Sequence, residues 1–244
     1  MSDSGEIILF DIPSKERTTW SYNPWRTRLL LAYKGLKYRT EWLEYPEIRT
    51  RLENHVPNDG SQTPYTVPAI LLPDGTYVMH SRRILETLNA RYPATPHLPY
   101  DTPSLQPLWN SLEPLMGHFR GVYAPRVASR ILGEGSLEYF RRTRAVDFEM
   151  DSLEEVERKL GGDVAYDGME ASLREVTALL GRNKEGPFFE GDKVAHADFV
   201  WAGILLFMKR LGDDVFEEVM RRSGDEGVHL ALLEAVKPWT QQVD

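Results

Sequence analysis

The feature that most restricts this chain is a change of pattern near residue 93. Ahead of it, short runs switch between strand and helix periods. After a Pro-, Thr- and Tyr-rich stretch from Pro93 to Pro107, nothing alternates like a strand. A chain so patterned places a mixed strand–helix unit first and a purely helical unit second. Its 244 residues suffice for two cores. The predicted division is a unit over 1–93, a linker over 94–106 and a helical unit over 107–244.

Within the first unit, Glu6 to Ile12 (EIILFDI) reads as a buried strand that Pro13 ends. Asn23 to Gly35 carries full helix punctuation: Asn at the N-cap, Pro at the first helical position, Lys in the last turn and Gly at the end. Tyr38 to Tyr45 alternates as a second strand, and Pro46 to Asn54 is a short helix. Ala69 to Leu72, the Pro-Asp-Gly turn at 73–75 and Thr76 to Met79 form a hairpin. Ser81 then caps a helix that runs to Tyr92. The order is βαβα followed by ββα, an α/β unit, and the second unit is all-α. Its helices are predicted over Ser104–Arg130, Gly135–Leu160, Val164–Leu180, Ala195–Leu211, Asp214–Arg222 and Gly227–Val236.

Composition narrows the chemistry. A net charge of -8 and a pI near 5.4 disfavour a nucleic-acid or anionic-membrane surface, which needs clustered Lys and Arg. Small-molecule or protein partners are expected. The longest nearly uncharged apolar run, Phe199 to Met208, is too short to cross a bilayer, and an acidic start precedes the first apolar run, so no span and no signal peptide are predicted. With no cysteine, the chain has no disulfide, Cys–zinc site or Cys nucleophile; any thiol chemistry must borrow its thiol. The six histidines contain no pair three or four residues apart, which argues against a metal, and neither common phosphate-cradling loop is present.

One segment carries candidate chemistry: Ser21-Tyr22-Asn23-Pro24-Trp25-Arg26-Thr27-Arg28. Ser21 stands just ahead of a helix N-terminus, where unpaired N–H groups and the positive end of the helix dipole favour an anion. Such surroundings lower a thiol pKa by about one to a few units, and a hydroxyl can donate to sulfur without competing as a nucleophile. Ser21 also reads as a plain loop hydroxyl, and Asn23 as a cap first and a ligand contact second.

The βαβα-ββα unit, the helical unit and this helix entry together resemble the glutathione transferases over nearly the whole chain. The Asn23-to-Gly35 stretch with Glu41-Trp42-Leu43-Glu44-Tyr45-Pro46 is most similar to the etherase-related and fungal FuA-like branch. The resemblance implies a thioredoxin-like N-terminal domain, an all-helical C-terminal domain, glutathione as cofactor, a homodimer and a cytoplasmic location. In Ser-type members the catalytic hydroxyl precedes W-R-x-R by a few residues, which makes Ser21 the implied catalytic residue.

Other motifs gain meaning from the same resemblance. Thr66-Val67-Pro68-Ala69-Ile70 matches the V-P step before the third strand, where the proline is cis and the main chain of Val67 pairs with the cysteinyl backbone of glutathione. On spacing alone, Pro68 could equally be an ordinary proline at a strand start. Met79-His80-Ser81 occupies the usual Glu-Ser position. Ser81 suits the γ-glutamyl carboxylate, whereas His80 replaces an acid that would accept from the γ-glutamyl amine; protonated His80 would repel that amine. Gly191 to Phe199 resembles the family's capping box, with Asp198 matching and Ala195 replacing the capping hydroxyl.

For the electrophile pocket the candidates are Trp20, Tyr22, His118, Phe119, Tyr123 and Arg126, with Arg126 or His118 polarising a carbonyl or leaving oxygen; each also reads as helix packing or surface. Arg26 and Arg28 read as salt-bridging helix residues. The expected activity is transfer of glutathione to an electrophilic aromatic, quinone or unsaturated carbonyl, or ether cleavage by the same attack. Alternatives are an isomerase or dehydratase that recycles glutathione, and a transferase-fold binding protein without turnover.

Overall fold

The structure, a computed structural model, describes residues 5–58, 60–61 and 63–241. The strand of the opening apolar run is β1, Ile7–Asp11, and it lies parallel to β2, Tyr38–Trp42, in the register Ile7 to Tyr38 and Asp11 to Trp42. Helix α1, Tyr22–Tyr33, makes the crossover between them. The hairpin strands β3, Ala69–Leu71, and β4, Tyr77–Met79, complete a mixed sheet ordered β2-β1-β3-β4, with β3 antiparallel to β1. Short α2, Glu47–Leu52, and α3, Ser81–Arg91, finish the α/β unit.

The rest is helical: α4 Leu105–Arg126, α5 Glu134–Asp147, α6 Leu153–Leu160, α7 Gly162–Leu180, α8 His196–Leu211, α9 Asp213–Ser223 and α10 Glu226–Val236. Helix α8 is apolar nearly all round and buried from His196 to Leu205, as a helix must be when others surround it. It packs on α1, and Gly203 permits the approach: a Cβ there would lie 2.9 Å from the carbonyl oxygen of Tyr22. The first turn of α1 therefore rests directly on the helical unit. No helix among the described residues is long and apolar enough to cross a membrane.

Four boundaries differ from expectation. The helix expected over 135–160 is two helices, separated at Glu149, whose φ of 53° lies in the left-handed region. The sequence Ser152-Leu153-Glu154-Glu155 carries the restart signal, and the Ser152 hydroxyl accepts from the Glu155 N–H at 3.2 Å. The N-cap of α1 is Ser21, not Asn23, and the N-cap of α3 is His80, not Ser81, at φ 74°. Finally, α4 runs into a π-helical turn, Val127–Ile131. The turn is closed by the Leu132 N–H, which donates to the Val127 carbonyl at 3.1 Å, and the Ser129 hydroxyl donates to the Pro125 carbonyl at 2.9 Å.

Candidate active site

The site begins where β1 ends. Asp11 is fully buried, and its carboxylate accepts from Arg28 Nε at 3.0 Å, the Thr19 hydroxyl at 2.9 Å and the Ile12 N–H at 2.7 Å. Arg28 is itself 1% exposed and also donates to the Thr40 hydroxyl at 2.8 Å. Burial pushes the Asp11 carboxyl upward, against the pull of Arg28. This network clamps both ends of the loop over 12–20. The loop's middle is held from the helical unit: the Lys15 N–H donates to the Ile131 carbonyl at 2.7 Å, and Arg210 Nη2 to Glu16 at 2.7 Å and to the Thr18 hydroxyl at 2.8 Å.

The loop delivers Ser21 to the N-cap of α1 in extended conformation, φ -74° and ψ 136°, and the side chain makes no capping hydrogen bond. Pro24 has no N–H, and the first helical bond runs from the Trp25 N–H to the Ser21 carbonyl at 3.2 Å. The N–H groups of Tyr22 and Asn23 thus stand at the positive end of the helix without intrahelical acceptors.

In front of Ser21 lies a cleft of about 600 Å³. It brings together Ser21, Tyr22, Asn23, Trp20, Val67 and Tyr123 from the sequence candidates. The Val67–Pro68 bond is cis, as anticipated. Pro68 lies behind the lining, and its carbonyl accepts from the His80 N–H at 3.3 Å. His80 and Ser81, at the start of α3, are thereby placed beside Val67 but do not line the cleft themselves.

His118 and Arg126 lie elsewhere. The His118 ring packs against Gly168 of α7, and Arg126 pairs with Asp214 at 3.3 Å and Glu157 at 3.9 Å; neither lines the cleft. Phe119 is buried in the core. The two arginines of α1 also part ways. Arg28 forms the expected salt bridge, whereas Arg26 has no carboxylate partner among the described residues. Its guanidinium lies between the rings of Tyr22, at 5.4 Å, and Trp109, at 5.1 Å, and burial holds its pKa down to about 10.

The second half of the cleft, from α5 and the turn after β2, was not read from the sequence. Tyr45 stacks on Tyr139 at 6.0 Å and tilts against Phe140 at 5.5 Å, and its N–H donates to the Ser136 hydroxyl at 2.9 Å. Arg144 lies over the Phe140 ring at 5.1 Å and pairs with Asp147 at 2.7 Å. Phe207 of α8 gathers Tyr22 and Tyr123, each at 5.5 Å, and Trp20 at 6.0 Å. Burial pushes Tyr45 up to about 12 and raises Tyr123 as well, so both keep their protons near neutrality and present hydroxyl donors. The result is a cleft rich in aromatic rings, with one helix N-terminus and the Arg144 guanidinium in its lining.

Two family models cover this architecture. The model for the glutathione S-transferase C-terminal domain matches residues 112–239, and that for the N-terminal domain matches residues 20–91. The chain belongs to the glutathione S-transferase family. A glutathione S-transferase-like protein, ustS, of Aspergillus flavus is 29% identical, with 98% of this chain and 93% of that protein covered. Among solved structures, a glutathione S-transferase of Ceriporiopsis subvermispora in complex with glutathione is 27% identical, at a TM-score of 0.83 over 96% of this chain and 98% of that one. Glutathione transferase GSTFuA2 of Phanerochaete chrysosporium is 27% identical, at 0.83 over 99% and 100%. The α/β unit is thus the thioredoxin-like half of a transferase, and α4 to α10 form its all-helical half.

Proposed function

We propose that the cleft is the active site of a glutathione transferase in which Ser21 holds the reacting sulfur. The observation that carries this reading is the Ser21 hydroxyl: it occupies a helix N-cap, opens on the cleft and is not used in capping. Glutathione lies along the mouth, its cysteinyl backbone paired with the N–H and C=O of Val67, its γ-glutamyl end at Ser81 and His80. The Ser21 hydroxyl donates to the thiolate, and the α1 N-terminus favours its charge.

The thiolate then attacks an electrophilic carbon held among Tyr22, Tyr123, Tyr139 and Phe207. A carbon–sulfur bond forms, and the displaced pair leaves with a halide or an aryl-ether oxygen, or rests on a carbonyl oxygen until protonated. The hydroxyl of Tyr123 faces that developing negative charge. The enzyme works as a homodimer in the cytoplasm.

The test is steady-state turnover of Ser21→Ala with glutathione and 1-chloro-2,4-dinitrobenzene. We expect a loss of about 10-fold or more in kcat/KM, equivalent to about 1.4 kcal/mol of transition-state stabilisation. An unchanged kcat/KM removes Ser21 from the chemistry.

A further inference from the structure

The wall that α5 and the turn after β2 give the cleft has a composition that the thiol chemistry proposed for Ser21 does not require: a guanidinium and a phenol stand among aromatic rings there. Arg144 is held there with unusual definition for an arginine. Its plane lies over Phe140 at 5.1 Å and beside Tyr45 at 6.0 Å, and Nη1 donates to Asp147 at 2.7 Å. The Tyr45 ring lies alongside, so its phenol and the guanidinium line the same part of the cleft. Tyr45 in turn is pinned to the first turn of α5 through Ser136, which is fully buried. The donors are therefore pre-positioned rather than gathered by a ligand.

The other charges at the cleft are already paired, and a ligand carboxylate would share Arg144 with Asp147. Arg49 is exposed at the rim and tied to Glu53 at 3.0 Å. Asp147, the acid that lines the cleft, is half-exposed and already paired with Arg144. A ligand that fills the cleft is in reach of aromatic rings, the Arg144 guanidinium and the Tyr45 phenol.

We propose that the enzyme's electrophiles are planar aromatic acceptors bearing a carboxylate, which Arg144 binds with the Tyr45 hydroxyl at this wall of the cleft. The fork matches a carboxylate in two parallel hydrogen bonds, an arrangement that lysine cannot reproduce. Arg144 is a specificity-determining residue here, and the inference rests on the glutathione reading given above.

Binding of two glutathione conjugates separates the two ideas without relying on turnover. S-benzylglutathione and S-(4-carboxybenzyl)glutathione differ only by the carboxylate, and calorimetric titration gives a dissociation constant for each. In the wild-type protein the carboxylated conjugate binds about 10-fold more tightly, a difference of about 1.4 kcal/mol. In Arg144→Met the ratio falls to about one, and Arg144→Lys retains only part of it. A purely structural role for Arg144 would weaken both conjugates equally and leave the ratio intact, which overturns the proposal. Equal affinities in the wild-type protein overturn it too, while leaving the glutathione site standing. Failure of both conjugates to bind removes the glutathione reading and this inference with it.

Discussion

Replacing Arg28 by Met tests whether the Asp11 network holds the approach to the active site. The guanidinium is 1% exposed and the carboxylate 0%, so neither charge is relieved by water. Without Arg28, Asp11 keeps only the Thr19 hydroxyl at 2.9 Å and the Ile12 N–H at 2.7 Å. Breaking one side of such a pair costs about 3–5 kcal/mol, because the surviving charge stays buried and uncompensated. Removing both charges costs much less, since well-packed apolar replacements of a buried pair are often neutral. Urea unfolding followed by circular dichroism, at unchanged m, should therefore show Arg28→Met losing about 3 kcal/mol or more. The double variant Asp11→Leu/Arg28→Met should recover more than half of that loss, a coupling of about 1.5 kcal/mol or more. A single-variant loss below about 1 kcal/mol, or strict additivity of the two substitutions, would refute the account of the clamp.

Two further outcomes follow from other parts of the chain. His229 is buried with its protons assigned by its neighbours: Trp201 Nε1 donates to Nδ1 at 2.9 Å, and the Thr177 hydroxyl, which donates to the Leu173 carbonyl at 3.0 Å, accepts from Nε2 at 2.9 Å. Burial holds its pKa down to about 4, below the ordinary 6.5, so its contribution is present above pH 6.5 and is lost as pH falls towards 4. The stability advantage of wild type over His229→Gln should shrink by about 1.4 kcal/mol per pH unit across that window, and a constant gap in urea titrations would contradict it. Beside Val67, His80→Glu supplies an acceptor for the γ-glutamyl amine, and calorimetry should show glutathione binding more tightly than in wild type. Equal affinity would mean that His80 takes no part.

What could be read from the chain followed from local rules. EIILFDI is too apolar for anything but a buried strand, and Asn23-Pro24 through Lys34-Gly35 admits little besides a helix, so β1 and α1 fell where expected. The Pro-Asp-Gly turn likewise fixed the β3–β4 hairpin. The cap of α1 lies two residues earlier than expected because a first-turn proline is compatible with more than one helix start, that of α3 lies one residue earlier, and the α5–α6 break was missed although Ser152 and Glu155 announced it.

Legibility was lower where the site depends on how helices meet. His118 precedes Phe119 by one residue, about 100° around the helix, which turns it from the core side onto α7. Arg126 keeps the spacing of Phe119 and Tyr123, but Asp214 and Glu157 of other helices capture it. Tyr45 and Arg144 are far apart in sequence and meet only because Ser136 joins the turn after β2 to α5. No motif marks Arg144, and the segment that holds Tyr45 gives it no role in the cleft. The difference between Arg26 and Arg28 was equally hidden, since only the fold decides which of them meets Asp11.

The central claim is that Ser21 and the start of α1 hold glutathione as a thiolate. The most direct measurement is the ultraviolet absorbance of that thiolate, titrated with pH on glutathione bound to the wild-type protein and to Ser21→Ala. In the wild-type complex the thiol should titrate about one unit or more below the ordinary thiol value near 8.5, and in Ser21→Ala it should return most of the way towards that value. A bound thiol that titrates near 8.5 in the wild-type protein, or at one and the same pH with and without the Ser21 hydroxyl, would contradict the claim.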